Sequence, residues 1–263
     1  MPVNRRDFLT LAAGAGMAAG LLAGSRLVRA ATPAPIGAVA LDGFTTFDPR
    51  PLVARAERLF PGQGQALALA WRTRQFEYTW LRTLMGRYTG FWQITEEALG
   101  YAAAQLRLPL SGAQRDELMQ GYRELRAWPD AAAALQRLRA AGVRLAFLSN
   151  FSVEMLDTAV HGSGLDGLFE PHLSTDRVQA FKPDPRAYQM GVDAFALPRE
   201  RIAFAAFGGW DAAGAKSFGY PTYWVNRLGV PLEQLGISAD ASGPGLDGLV
   251  AFVLGAPRAQ APA

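Results

Sequence analysis

The apolar run 36–41 stops on Asp42, the apolar run 143–148 stops on Ser149 and Asn150, and Asp211 follows shortly after the apolar run 202–207. Lys182 lies in the loop sequence Phe181-Lys182-Pro183-Asp184. Runs this short and uniformly apolar predict strands buried on both faces of a parallel sheet, and such sheets bind ligands beyond the carboxyl ends of their strands. A carboxylate, a hydroxyl and an ammonium group converging there could perform nucleophilic chemistry. Asp42 would attack, Ser149 and neighbouring amides would bind an anion, and Lys182 would steady the carboxylates. Polar residues at strand ends also cap the helices that follow, and for Ser149 or Asp211 taken alone capping is the preferred reading. Lys182 is harder to explain that way. The chain has 24 arginines and only two lysines, Lys182 and Lys216, so a lysine at 182 points to a buried site that needs a compact point charge. Lys216 reads as a surface residue.

These groups need a scaffold of alternating strands and helices. Strands are expected at 36–41, 143–148, 202–207 and 222–225, with helices between them, one of them starting near Asp211. Between residues 51 and 127 no comparable strand is found. That segment reads as helices at 67–87, 96–106 and 111–125, the last opened by the capping-box sequence Ser111-Gly-Ala-Gln114. Trp128-Pro129-Asp130 introduces a further helix, ended by Gly142. The expectation is an α/β protein with a Rossmann-like doubly wound parallel sheet core at 36–50 and 128–256. A helical cap domain is inserted at 51–127, and 257–263 is a flexible tail.

Composition narrows the chemistry. The chain has no cysteine and only two histidines, which excludes thiol catalysis and zinc–thiolate sites and leaves a Ser-His-Asp triad poorly supplied. His161 and His172 read as ordinary loop or core residues. The net charge of +3 comes from the first thirty residues, which hold Arg5, Arg6, Arg26 and Arg29 against Asp7. The remainder carries 22 positive and 22 negative charges, so no electrostatic footprint for nucleic acid or an anionic membrane is found. Arg5-Arg6, the uncharged stretch 8–25 and the small-residue site at Val28-Arg29-Ala30 read as a twin-arginine signal peptide over 1–30. A membrane-spanning anchor is the alternative. Glycines at 14, 16, 20 and 24 dilute the stretch and favour the signal, hence export to the periplasm without a stable membrane anchor after processing.

At this point the chain resembles a known family, the L-2-haloacid dehalogenases of the haloacid dehalogenase superfamily. Ile36-Gly-Ala-Val-Ala-Leu-Asp42 with Gly-Phe-Thr-Thr-Phe-Asp48 is similar to the family's nucleophile motif, and Leu148-Ser149-Asn150 to its second motif. The segment from Ser174 through Lys182 to Tyr188 resembles the one carrying the family's lysine and tyrosine. Trp71-Arg72 through Arg82, Met85 and Tyr88 resembles the stretch that holds its substrate-binding arginine, and Trp210-Asp211-Ala-Ala-Gly-Ala-Lys-Ser-Phe-Gly-Tyr-Pro-Thr with Asn226-Arg227 resembles its last motif. The resemblance implies that Asp42 displaces halide from C2 of a short (S)-2-haloalkanoic acid and forms an ester on its own carboxylate. Arg72 and Phe91 would hold the departing halide, and Ser149, Asn150 and either Thr45 or Thr46 would bind the substrate. Lys182 would orient Asp42, Asp211 would help activate water, and Tyr188 would support that water or Lys182. Phe44, Phe76 and Trp210 would wall the pocket, although core packing explains such aromatics nearly as well. A homodimer is also what the resemblance implies.

Phe44 stands where superfamily phosphatases carry a second aspartate that protonates a leaving alcohol. Halide leaves as a stable anion and needs no such acid. With no acid beside Asp211 either, neither a metal nor another cofactor is expected. Two features depart from the family pattern. The nucleophile motif is one residue short, and Ala205-Ala206-Phe207-Gly208-Gly209 replaces a loop that usually contains Ser-Ser-Asn. Ala206 and Gly208 therefore lack a hydroxyl and an amide, and this leaves a second reading open. The chain could be a non-catalytic or repurposed relative that binds or hydrolyses another small organic acid.

Overall fold

The computed structural model describes residues 35–255; the expected signal peptide and the expected tail lie outside them. The chain enters β1 (Ala38–Leu41), turns through α1 (Gly43–Thr46) and runs into α2 (Arg50–Leu59), α3 (Gly64–Leu84), α4 (Phe91–Gln105) and α5 (Gly112–Arg123). It then follows α6 (Ala131–Ala140), β2 (Arg144–Ser149), α7 (Val153–Gly162), β3 (Leu173–Ser174) and α8 (Pro185–Phe195). The last elements are β4 (Ile202–Ala206), α9 (Gly209–Phe218), β5 (Thr222–Val225), β6 (Ala241–Gly243) and α10 (Leu246–Leu254).

All six strands pair in parallel in the order β3-β2-β1-β4-β5-β6. The chain builds outward from β1 on one side and then returns to build outward from β4 on the other. The switch point between β1 and β4 is where an open parallel sheet leaves a crevice at its carboxyl edge. Every residue of β1, β4 and β5 is buried, as expected for strands covered by helices on both faces. Two strands are additions to the sequence reading. β3 has two residues and β6 is Ala-Ser-Gly, so neither has an apolar run to betray it.

The helices between β1 and β2 follow the expected pattern with shifted ends. The capping box of α5 is present, with Ser111 accepting from the Gln114 amide and the Gln114 side chain accepting from the Ser111 amide. The helix expected at 96–106 starts five residues earlier, because Phe91, Ile94, Thr95, Ala98 and Leu99 supply one continuous buried face. Buried polar contacts join α3 to α4, with Trp71 Nε1 donating to the Thr95 carbonyl at 2.7 Å and Gln75 Nε2 to Thr95 Oγ1 at 2.5 Å.

Candidate active site

Asp42 is the N-cap of α1, its Oδ2 accepting from the Phe44 amide at 3.1 Å. Capping thus falls on the carboxylate that the sequence reading expects to be the nucleophile. Its other oxygen, Oδ1, lies 2.8 Å from Lys182 Nζ. That ammonium group, with no exposed area, also lies 2.6 Å from Asp211 Oδ2. Tyr188 completes the chain of bonds by donating to Asp211 Oδ1 at 2.7 Å. Four residues, with Asp42 and Lys182 alone 140 positions apart in sequence, therefore share one buried network.

The network sets the protonation of its members. Burial works against the charged form of Lys182, but attraction to Asp211 and Asp42 and the hydrogen bonds to both outweigh it and raise its pKa. Burial is also the main influence on Asp211. Lys182 and Tyr188 pull its pKa down and Asp42 pushes it up, leaving it raised to about 6. Tyr188 is held well above the ordinary phenol value, first by burial and then by Asp211, so near neutral pH it donates to a carboxylate rather than ionising.

A narrow cleft opens in front of Asp42 and Asp211. Phe44, Arg72, Phe91, Ser149, Asn150 and Trp210 line it, as the sequence reading expects of the site. Ser149 Oγ accepts from the Phe151 amide at 3.2 Å, which leaves its hydroxyl proton free to donate. Asn150 Oδ1 accepts from the Lys182 amide at 3.1 Å, while its buried Nδ2 has no partner among the described residues. Arg72, on α3, has neither a carboxylate nor a hydrogen-bond partner among the described residues. Its guanidinium lies 5.7 Å from the centre of the Phe207 ring. Crowding by protein lowers its pKa by desolvation, yet an arginine so placed stays charged.

Three expectations need correction. Thr45 and Thr46 are fully buried and do not line the cleft. Thr45 Oγ1 instead donates to the Asp42 carbonyl at 2.6 Å, because the tight α1 turn folds its side chain back on the backbone. Of the two roles expected for Tyr188, the one toward Lys182 is not formed, since the Lys182 amide and ammonium are engaged elsewhere; Tyr188 bonds Asp211, the residue expected to act on the water. Asp211 lies inside the first turn of α9 and caps nothing; Gly208 is the N-cap. Lys216 pairs with Asp240 on a partly exposed face. His161 is exposed, while His172 packs on Phe147 and Phe169.

The cleft also contains Phe151 and Phe207, which were not singled out for it, and Gly208, which the sequence reading noted as a departure from the family pattern. Gly208 has a spatial reason. A β-carbon there would stand 2.7 Å from Trp210 Nε1, so the indole occupies the volume a side chain would need. The turn bearing Asp42 is fixed from behind by Arg227, which donates twice to the Thr45 carbonyl at 2.9 and 3.1 Å and pairs with Asp130 at 2.9 Å. Asp130 stands at the N-cap of α6, where the sequence reading starts that helix, but its carboxylate caps no amide of α6 and serves Arg227 and the Leu246 amide. Among the described residues no three acidic or histidine side chains cluster as a metal site would require.

The chain matches the haloacid dehalogenase-like hydrolase family over residues 25–219. It is 40% identical to haloacetate dehalogenase H-2 of Moraxella sp. (strain B), over 83% of this chain and 98% of that protein. It is 41% identical to the (S)-2-haloacid dehalogenase of Pseudomonas sp. (strain YL), over 74% of this chain and 84% of that protein. A solved L-2-haloacid dehalogenase from Xanthobacter autotrophicus, with chloropropionic acid covalently bound, superposes with a TM-score of 0.77 at 32% identity. That likeness covers 84% of this chain and all of the other.

Proposed function

The chain belongs to the haloacid dehalogenase-like hydrolases, and from that membership we propose hydrolytic dehalogenation of short (S)-2-haloalkanoic acids through an ester on Asp42. The observation that carries the assignment is the Asp42 carboxylate, held by Lys182 and facing a cleft whose opposite wall bears an arginine with no partner among the described residues.

Asp42 attacks C2 as the carbon–halogen bond breaks with its electron pair on the halide, inverting the centre. Arg72, Asn150 Nδ2 and the apolar face of Phe91 receive the departing anion. The Ser149 hydroxyl holds the substrate carboxylate. Water then adds to the carbonyl carbon of the aspartyl ester, aided by ionised Asp211. The ester bond breaks at that carbon, releasing the (R)-2-hydroxy acid and restoring Asp42. The water oxygen remains in the Asp42 carboxylate, one of its protons passes to the leaving alkoxide to make the product hydroxyl, and the other passes to solvent. Lys182 holds and aims Asp42, and Tyr188 fixes Asp211.

Arg5-Arg6 and the uncharged stretch behind them support export by the twin-arginine route to the periplasm. Exposed Leu81, Leu84 and Met85 on and just beyond α3 support a homodimer, which light scattering would test. No described helix is long and apolar enough to cross a membrane.

The deciding measurement is halide release by the purified protein from each enantiomer of 2-chloropropionate, beside Asp42→Asn. Chloride from the S form alone, reduced about 10⁴-fold or more in the variant, is the expected result. Absence of chloride from both enantiomers with a folded protein would sink the assignment for this substrate.

A further inference from the structure

Behind the shared wall of Phe44, Arg72 and Phe207 lies a second cavity, an annex of about 120 Å³ against about 10 Å³ for the cleft. A water-sized sphere needs roughly 10–15 Å³, so the cleft as it stands admits little more than one small group. Leu52, Val53, Ala68 and Leu228 contribute apolar wall to the annex. Its polar neighbours are engaged elsewhere. Gln75 bonds Thr95, Tyr122 bonds Gln75 at 3.2 Å, Trp71 bonds the Thr95 carbonyl, and Arg50 pairs with Asp48. Among the described residues only Arg72 brings a polar head without a partner, and that head belongs to the cleft as well. The annex therefore suits an aliphatic group attached to something anchored beside Arg72.

We infer that the annex is the subsite for the alkyl substituent on C2, which extends the substrate class to 2-haloalkanoates longer than propionate. The inference rests on the dehalogenase reading above. It also gives a use to the altered loop after β4. Phe207, in that loop, packs on Phe44 at 5.6 Å between ring centres and forms part of the partition between the two spaces. Its rotation joins them.

The test uses bromoacetate, (S)-2-bromopropionate and (S)-2-bromohexanoate with the wild type, Ala68→Phe, Val53→Trp and Phe207→Ala. The first two variants fill the annex from different walls, and Phe207→Ala opens its partition. Expected results are kcat/KM on bromohexanoate within about tenfold of bromopropionate in the wild type, a fall of at least about tenfold on bromohexanoate alone in either filled variant, and a relative gain in Phe207→Ala. Calorimetric binding of unreactive propionate and hexanoate to Asp42→Asn gives a readout independent of turnover. Each buried methylene tightens binding by about fourfold, so hexanoate binds more tightly, and adding Ala68→Phe or Val53→Trp removes the gain. Tighter hexanoate binding without bromide release from any substrate would keep the annex and defeat the dehalogenase reading. Equal binding of the two acids, or a chain-length profile unchanged in both filled variants, would overturn the annex.

Discussion

At the carboxyl ends of the strands, Lys182 reaches Asp42 and Asp211 at 2.8 and 2.6 Å and Tyr188 reaches Asp211 at 2.7 Å. Across the cleft on α3, Arg72 has no partner among the described residues. The two sides differ in what folding has already settled. On the sheet side, desolvation of the charges is offset within the protein, so the nucleophile is in place before substrate arrives. With Asp42 and Asp211 ionised and Lys182 protonated, that side carries one net negative charge and repels an anionic substrate. Arg72 answers that charge from the other side, and its missing partner is supplied by ligand.

The comparison can be broken by asking which side carries stability. Lys182→Met leaves two carboxylates facing each other in the interior and is expected to cost about 3–5 kcal/mol of folding stability, read from the urea midpoint, with loss of halide release. Next in size, Arg72→Met should lower kcat/KM by about 10²–10³ while stability stays within about 0.5 kcal/mol. A comparable loss of stability in both variants would end the distinction between a prepaid side and a ligand-dependent one.

A pH profile sharpens it further. Because the Asp211 pKa is raised to about 6, the carboxylate that assists water is ionised above that pH and protonated below it. Hydrolysis of the ester should therefore fall toward tenfold per unit as pH drops below about 6, in the wild type and Arg72→Met alike, measured as single-turnover product release. The smallest expected effect is that of Tyr188→Phe, about 1–3 kcal/mol in stability for a lost buried hydrogen bond. Its hydrogen bond lowers the Asp211 pKa, so its removal should move the acid limb upward. An unmoved limb would assign that limb to a different group.

Much of the scaffold was legible because its signals are local. The strand at 222–225 was read with its observed ends, and the Ser111–Gln114 capping box formed as its spacing implied. β3 and β6 escaped because two or three residues without an apolar run carry no period. Asp42, Ser149 and Asp211 were visible as polar residues interrupting apolar runs, and Lys182 through the scarcity of lysine. Phe151 and Phe207 were missed as cleft residues, since an aromatic beside a buried strand has the same sequence signal whether it faces core or cleft. Arg227 and Asp130, 97 positions apart, gave no joint signal.

By itself the sequence determined the alternation of elements, the carboxylate after the first strand and the cation held in reserve for it, because periodicity, capping and composition act over a few residues. Tertiary structure alone decided that Lys182 lies between Asp42 and Asp211, that Thr45 turns to its own backbone, and that Phe207 divides the cleft from the annex. Those outcomes depend on where strands distant in sequence end relative to one another and on which side-chain volumes fill the space between them, and a linear pattern encodes neither.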